Sequence, residues 1–562
     1  MPQDRFFIGP PNTGLQRNVK SWLIGDDAYE KLRNAYVWRS ILKKRVGSQL
    51  LVDNNPLLSR LRVNLGPQTG ADTWSYSVTA ADADAGQMFS LGTTTYYVPT
   101  TGTPVTLLTD SGTVVTATFN TTTGAVSIND TGPGAVDLYW YPSLPVMGII
   151  TYNTDNINDE FPVVFDTRYA YKRDASAWER LDTGTATWTG TNADFFWGAN
   201  YRADSADENI LFVTNFVEAD GIRVYNDEAV NIAGAPVAAE TWTKPTFTYS
   251  ASANTDIITA KLIFYFKDRL VLLNVKEQAG SASTVHFPNR CRFSQNGSPF
   301  ETDAWYQAPE AYGKGGYVDA PTEQAIVTAQ FLRDRLIVFF ERSTYELVYT
   351  GNKVLPFVWQ KINTELGAES TLSQVPFDDV VLGVGNVCIH ACDGASVVRI
   401  DDKIPQEVFR VRNQESGLER VAGIRDYRVE LVYWTFPAEP EIDNTSVYPN
   451  RLLVYNYKNS SWAFFDDSIT AFGYWQRQTT VESPLWQNID DPWYEMEGIW
   501  GRGANQLKER FVLAGNQQGF TFLMDGSLPT NAESLQISNF DDTTNLMTIY
   551  DHNLTNQDYV YV

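Results

Sequence analysis

The stretch "NVCIHACDG" (Asn386–Gly394) sets Cys388, His390 and Cys392 at alternate positions. Thiolate and imidazole are zinc ligands, so a metal cluster is the first chemistry to weigh. The run reads as a strand, which puts alternate side chains on one face roughly 6.6 Å apart. Ligands around zinc must converge far more tightly, with Zn–S bonds of about 2.3 Å. A buried strand face with two small thiols and a hydrogen-bonded histidine is the expectation. His286, His390 and His552 are the only histidines, a thin supply for acid–base catalysis. "DADAG" (Asp82–Gly86) starts like a calcium loop but lacks the third acid and the distal Glu. Acid pairs such as Asp378–Asp379, Asp401–Asp402 and Asp490–Asp491 supply the groups a glycosidase needs, but nothing in the sequence sets two of them across one cleft. Phosphate-binding loops and nucleophile elbows are absent. The expectation is a chain with no catalytic residues, no metal site and no cofactor.

Charge is the more telling feature. The net charge is −24. Residues 1–62 hold eleven Lys/Arg against five acids, a net +6 that leaves −30 on the other 500 residues. The concentration peaks in "NAYVWRSILKKRVGSQLLV" (Asn34–Val52), which reads as one β-hairpin. Arg39, Lys43, Lys44 and Arg45 are its expected partner-docking residues, facing acidic groups on an adjacent subunit or on the ring above, with Arg45 best suited to a bidentate carboxylate pair. So acidic a body argues against stable duplex binding.

The elements that must carry this hairpin are strands. Aromatics reach 13%, and short Val-, Thr- and Tyr-rich runs alternate with Gly- and Asp-containing turns. Residues 63–145 contain no Lys or Arg and cluster Thr. They read as an inserted small β-sandwich, protruding and separate. Outside it a motif recurs: "KDRLVLLN" (Lys267–Asn274), "RDRLIVFF" (Arg333–Phe340), "RDYRVELVYW" (Arg425–Trp434) and "NRLLVYN" (Asn450–Asn456). "YAYKRDASAWERL" (Tyr169–Leu181) echoes "VYNYKNSSWAFF" (Val454–Phe465). Repeated meanders without helices imply an all-β chain whose core, residues 146–530, is a β-propeller of six or seven degenerate blades. The Asn34–Val52 hairpin is expected to complete the first blade. Leu270, Leu272, Leu336, Val338, Leu452 and Val454 are expected to be core, each on one face of its strand. Residues 531–562 read as a further β segment that pairs elsewhere or continues into another module. Three cysteines make no disulfide framework, and "MPQDRFFIGPPNTG" lacks the pattern of a secretory signal. The longest apolar run, "VVLGVGNVCIHAC", is too short to span a bilayer.

The opening "GLQRNVKSWLIGDDAYEKLRNAYVWRSILKKRVGSQLL" (Gly14–Leu51) resembles the start of nozzle proteins of short-tailed bacteriophages, also called tail tubular protein B or tail stabilisation proteins. The matching residues are Asn34, Ala35 and Tyr36, then Lys44, Arg45 and Gly47; Val46 stands where Pro is common. "FPNRCRFSQNGSPFETDAW" (Phe287–Trp305) looks like another stretch of that family. The resemblance implies a virion tail component, assembled in the host cytoplasm as a homohexameric ring below the portal and adaptor rings. It also implies contacts with tail fibre or other tail proteins, and double-stranded DNA passing through the bore without specific binding. The competing reading is a carbohydrate-binding or glycan-degrading propeller. Sialidase-type repeats are missing, with "SQNGSPFETDAW" (Ser294–Trp305) the nearest approach.

Overall fold

The computed structural model describes residues 12–526 and, beyond them, 539–541 and 546–548, except for 46, 52–55, 79–85, 100, 110–115, 154–159, 175–176, 182–186, 203–208, 228–229, 233–234, 238–239, 253–254, 281–282, 308–312, 412–416, 439–446 and 477–509. Among the described residues there are strands and short 3-10 turns but no α-helix, and no helix long and apolar enough to cross a membrane. His552, the acids of the "DADAG" run and Asp490–Asp491 lie outside the described residues.

Among the described residues seven sheets, antiparallel in their blade strands, follow one another along the chain, with inner strands Gly148–Asn153, Trp197–Arg202, Asp256–Phe266, Ile326–Leu332, Val375–Pro376, Ala422–Asp426 and Ala471–Gln476; in the third, the short strand Phe247–Thr248 precedes and pairs with Asp256–Phe266. Each inner strand neighbours the next, and the seventh returns to the first. This closed ring is a seven-bladed β-propeller. The recurring motifs occupy equivalent places in it. "KDRLVLLN", "RDRLIVFF" and "RDYRVELVYW" are the turn and second strand of blades three, four and six, whereas "NRLLVYN" is the third strand of blade six. The Tyr-Lys/Trp echo is the outer hairpin of blades one and six, with Trp178 and Trp462 both buried on the last strand.

The six expected core residues are all buried, but so are their neighbours. Leu336, Val338 and Phe340 join the apolar cluster shared with blade three, while Ile337 and Phe339 join the one shared with blade five. Leu336 and Val338 share one face of their strand as expected, and the opposite face is buried as well. Stacked blades cover both faces of a sheet, so strict alternation with polar residues is lost.

The ring is closed by the N-terminal segment. Gly47–Leu50 pairs antiparallel with Thr521–Gly526 as the outermost strand of blade seven. The expectation that the hairpin completes the first blade is corrected here. Ala35–Trp38 and Ile41–Lys44 form a two-stranded sheet of their own, and only the strand after them enters a blade. Among the described residues blade seven otherwise has three strands, and Gly47–Leu50 covers its outer hydrogen-bonding edge.

Between that closure strand and blade one lies the inserted sandwich. Leu108–Thr109, Thr94–Tyr97, Met88–Leu91, Leu138–Tyr141 and Val63–Gly66 form one sheet; Val105–Thr106, Thr116–Phe119, Ala125–Asn129 and Thr73–Ser77 form the other. Trp74, Phe89, Phe119 and Ile128 fill the space between them. The unit is not separate. Its apolar cluster runs on into Tyr169, Tyr171 and Trp178 of blade one and Leu513 of blade seven, Trp140 meets Tyr169 edge-on at 6.3 Å, and Arg62 pairs with Glu179 at 3.0 Å. In the segment from 531 onward, Asn539–Asp541 pairs with Leu546–Thr548.

Candidate partner-docking surface

Residues 12–45 lie along blade six. Gly14–Leu15 adds a parallel strand beside Ser461–Phe465, and Ala28–Tyr29 adds another outside it. Gly14 has φ +73°, and a Cβ there would sit 2.8 Å from that of Ser461, so only glycine fits this approach. The hairpin turns at Arg39–Ser40, both left-handed (φ 48° and 63°), as a two-residue hairpin loop of the primed type requires. One side of the hairpin is anchored. Tyr36 and Val37 are buried, Tyr36 packs edge-on against Phe465, and Asn456 Nδ2 donates to the Val37 carbonyl at 3.0 Å.

The cations then divide into two groups. Arg17 Nη1 binds Glu407 at 2.6 Å. Arg33 Nη2 and Asn34 Nδ2 donate to the two oxygens of Asp466 at 2.9 and 3.0 Å. Arg45 Nη1 donates to the Asp466 carbonyl at 2.7 Å, and its Nη2 pairs with the Asp467 carboxylate. Burial works against charge on Asp466, but the hydrogen bonds and charges of Arg33, Arg451 and Asn34 outweigh it and hold the carboxyl below its usual value. These residues make an electrostatic clamp between a basic N-terminal segment and acids of the same chain. Arg45 was expected to reach a carboxylate on an adjacent subunit or on the ring above. That expectation is corrected: the strand that closes blade seven begins two residues later, which brings Arg45 against the linker between blades six and seven.

The second group faces outward. Lys44 is exposed and, among the described residues, has no carboxylate partner; nor has Lys43, whose ammonium lies 3.4 Å from the centroid of the Trp38 ring. Arg39 is exposed, 4.6 Å from that centroid, with one long 3.5 Å contact to Glu430. Beside them Ile41 and Leu42 are 57% and 43% exposed, and on the preceding turn Trp22 and Leu23 are 73% and 67% exposed. Sequence reasoning passed over these four apolar side chains. The signal was the juxtaposition "ILKK", in which apolar residues on a hairpin arm have no second sheet to face.

The motif around His390 is packed inside the propeller. The ring is fully buried, its Nε2 donates to the Gly367 carbonyl at 2.8 Å, and it stacks on Phe339. Burial lowers its pKa and raises the Cys388 and Cys392 thiols to about 11.

Neither a family model nor a curated protein matches the chain. Solved structures with similarity include the BT4673 extracellular domain from B. thetaiotaomicron, at 13% identity over 70% of this chain and 39% of that one, TM-score 0.31. BBS1N, in complex with ARL6DN, matches at 12% identity over 70% and 95% of the two chains, TM-score 0.33. The Neurospora crassa Pan2 WD40 domain matches at 8% over 68% and 89%, TM-score 0.33. The chain thus spans well under half of the first of these. The propeller assignment rests on the closed ring of sheets.

Proposed function

We propose that this chain is a structural, non-enzymatic component of a short-tailed phage tail, a nozzle subunit. Copies of it, six by the family resemblance of Gly14–Leu51, form a ring that extends the portal and adaptor channel. The ring retains packaged DNA and lets it pass on ejection. The observation that carries the proposal is the exposed arm Ile41–Lys44 of a hairpin whose other arm, Ala35–Trp38, is anchored to blade six. Apolar and cationic groups together suit a protein surface that offers both apolar contact and carboxylates. The acidic body suits a bore that does not hold the DNA backbone.

The test uses Lys43→Ser/Lys44→Ser with Arg45 kept, since Arg45 serves the clamp. Attachment to tail-less particles is measured at low and moderate salt, alongside electron microscopy of the purified protein. Rings by microscopy, and weakened attachment that loses its salt dependence in the double variant, are expected. Wild-type attachment with an unchanged salt response would sink the docking role.

A carbohydrate-binding propeller is the second reading. It is favoured by one feature, a cleft of about 450 Å³ on blade three whose described lining contains aromatic rings and one carboxylate, Glu277.

A further inference from the structure

The stretch Phe287–Trp305 supplies much of that cleft. Across blade three, cations and rings alternate. The Arg290 guanidinium lies 3.7 Å from the Phe287 ring centroid and 4.1 Å from that of Tyr317. Arg292 lies 5.3 Å from Tyr317 and 4.5 Å from Tyr249. Glu277 accepts from Arg292 Nε at 2.7 Å and Nη2 at 2.8 Å, and from Arg290 Nη1 at 3.2 Å. Asp319 takes Arg290 Nε and Nη2 at 2.7 and 3.0 Å. Glu277, Arg290 and Arg292 are all buried, yet Tyr317 is 53% exposed. The opposite wall comes from Gln307 and from Val354–Leu355 in the turn between the last two strands of blade four. Gln307 Nε2 ties that turn down by donating to the Val354 carbonyl at 2.7 Å.

We infer that this cleft is a glycan-binding site that takes one or two neutral hexose units. The volume is in the range of small-ligand sites. Tyr317 offers an open ring face, fixed by the arginines stacked against it, as a platform for the C–H face of a sugar. Among the described residues the two guanidinium groups are matched by Glu277 in the lining and by Asp319 behind Arg290, which favours a neutral ligand over a phosphate or a nucleotide. Beneath the rings, Arg292 Nη1 donates to the Trp305 carbonyl at 3.5 Å. Among the described lining residues Glu277 is the one carboxylate, and both arginines hold it. Glycoside hydrolysis uses two carboxyl groups flanking the bond, so the inference is one of binding. Ring assembly plays no part in this, so the site and the nozzle reading stand or fall separately.

Saturation-transfer NMR on the full chain tests it, with maltose, cellobiose, lactose and chitobiose as probes at millimolar concentration. At least one probe should bind. Tyr317→Ala should weaken that binding at least about tenfold, Tyr317→Phe should retain it, and Tyr349→Ala, an exposed ring outside the cleft lining, should leave it unchanged. Silence from all four probes overturns the inference, as does binding that survives Tyr317→Ala.

Discussion

Leu336 and Ile337 are adjacent on the second strand of blade four, and the fold makes a sharp claim about the pair. Leu336 belongs to the cluster facing blade three and Ile337 to the cluster facing blade five, each fully buried. Truncating either to Ala removes three buried carbons, about 2.4 kcal/mol of transfer free energy. The void left behind adds about 24 cal/mol per Å³, so an unrelaxed 60 Å³ contributes roughly 1.4 kcal/mol. Each variant should therefore lose about 4 kcal/mol, within the usual 2–5 kcal/mol for such changes. Urea denaturation followed by tryptophan fluorescence is the assay, read as a midpoint shift at constant slope. In a sheet with one solvated face, one of the two substitutions would be nearly silent. If Ile337→Ala costs under about 1 kcal/mol while Leu336→Ala costs the full amount, the face-to-face stacking of blades four and five is wrong.

The clamp at Asp466 gives a pH dependence. Its folded pKa is lowered, so its contribution is complete above the ordinary carboxylate range and fades as pH falls through the lowered value. Amide exchange in Gly14–Leu15 and Ala35–Trp38 should accelerate below about pH 4, and Asp466→Asn should show that acceleration already at neutral pH; exchange that ignores both would remove the clamp. Gly14→Ala should loosen the same segment, because a Cβ at φ +73° meets Ser461; unchanged proteolysis of the N-terminal segment would contradict this. Deleting 66–143 should lower the thermal midpoint as well as shorten the chain, since Tyr169 and Trp178 lose part of their cover; an unaltered midpoint would restore an autonomous insert. Native protein at pH 8 should resist thiol reagents at Cys291, Cys388 and Cys392, all buried, and react only in denaturant; rapid native labelling would show the packing around "CIHAC" to be wrong.

Much of the architecture is legible in local sequence. Strands and turns come from neighbouring residues, so the aromatic meanders, the charge-free Thr-rich insert and the recurring "DRL" strands announce an all-β chain with repeats. The Trp178/Trp462 echo even marks equivalent strands of two blades. The positive charge of residues 1–62 is equally plain from composition. What that charge meets is not. Arg33 and Asp466 are more than 400 positions apart, and no local pattern says that Gly47–Leu50 will fill the edge of blade seven. Ring closure decided it, because the strand that seals the propeller carries the basic segment onto blade six, where Arg17, Arg33 and Arg45 find acids of their own chain. Lys43 and Lys44 are left outside by the same geometry. The sequence marked Leu336 and Val338 as core but not that Ile337 on the opposite face would be buried too: whether a strand has one buried face or two depends on the sheets stacked against it, and those come from distant parts of the chain.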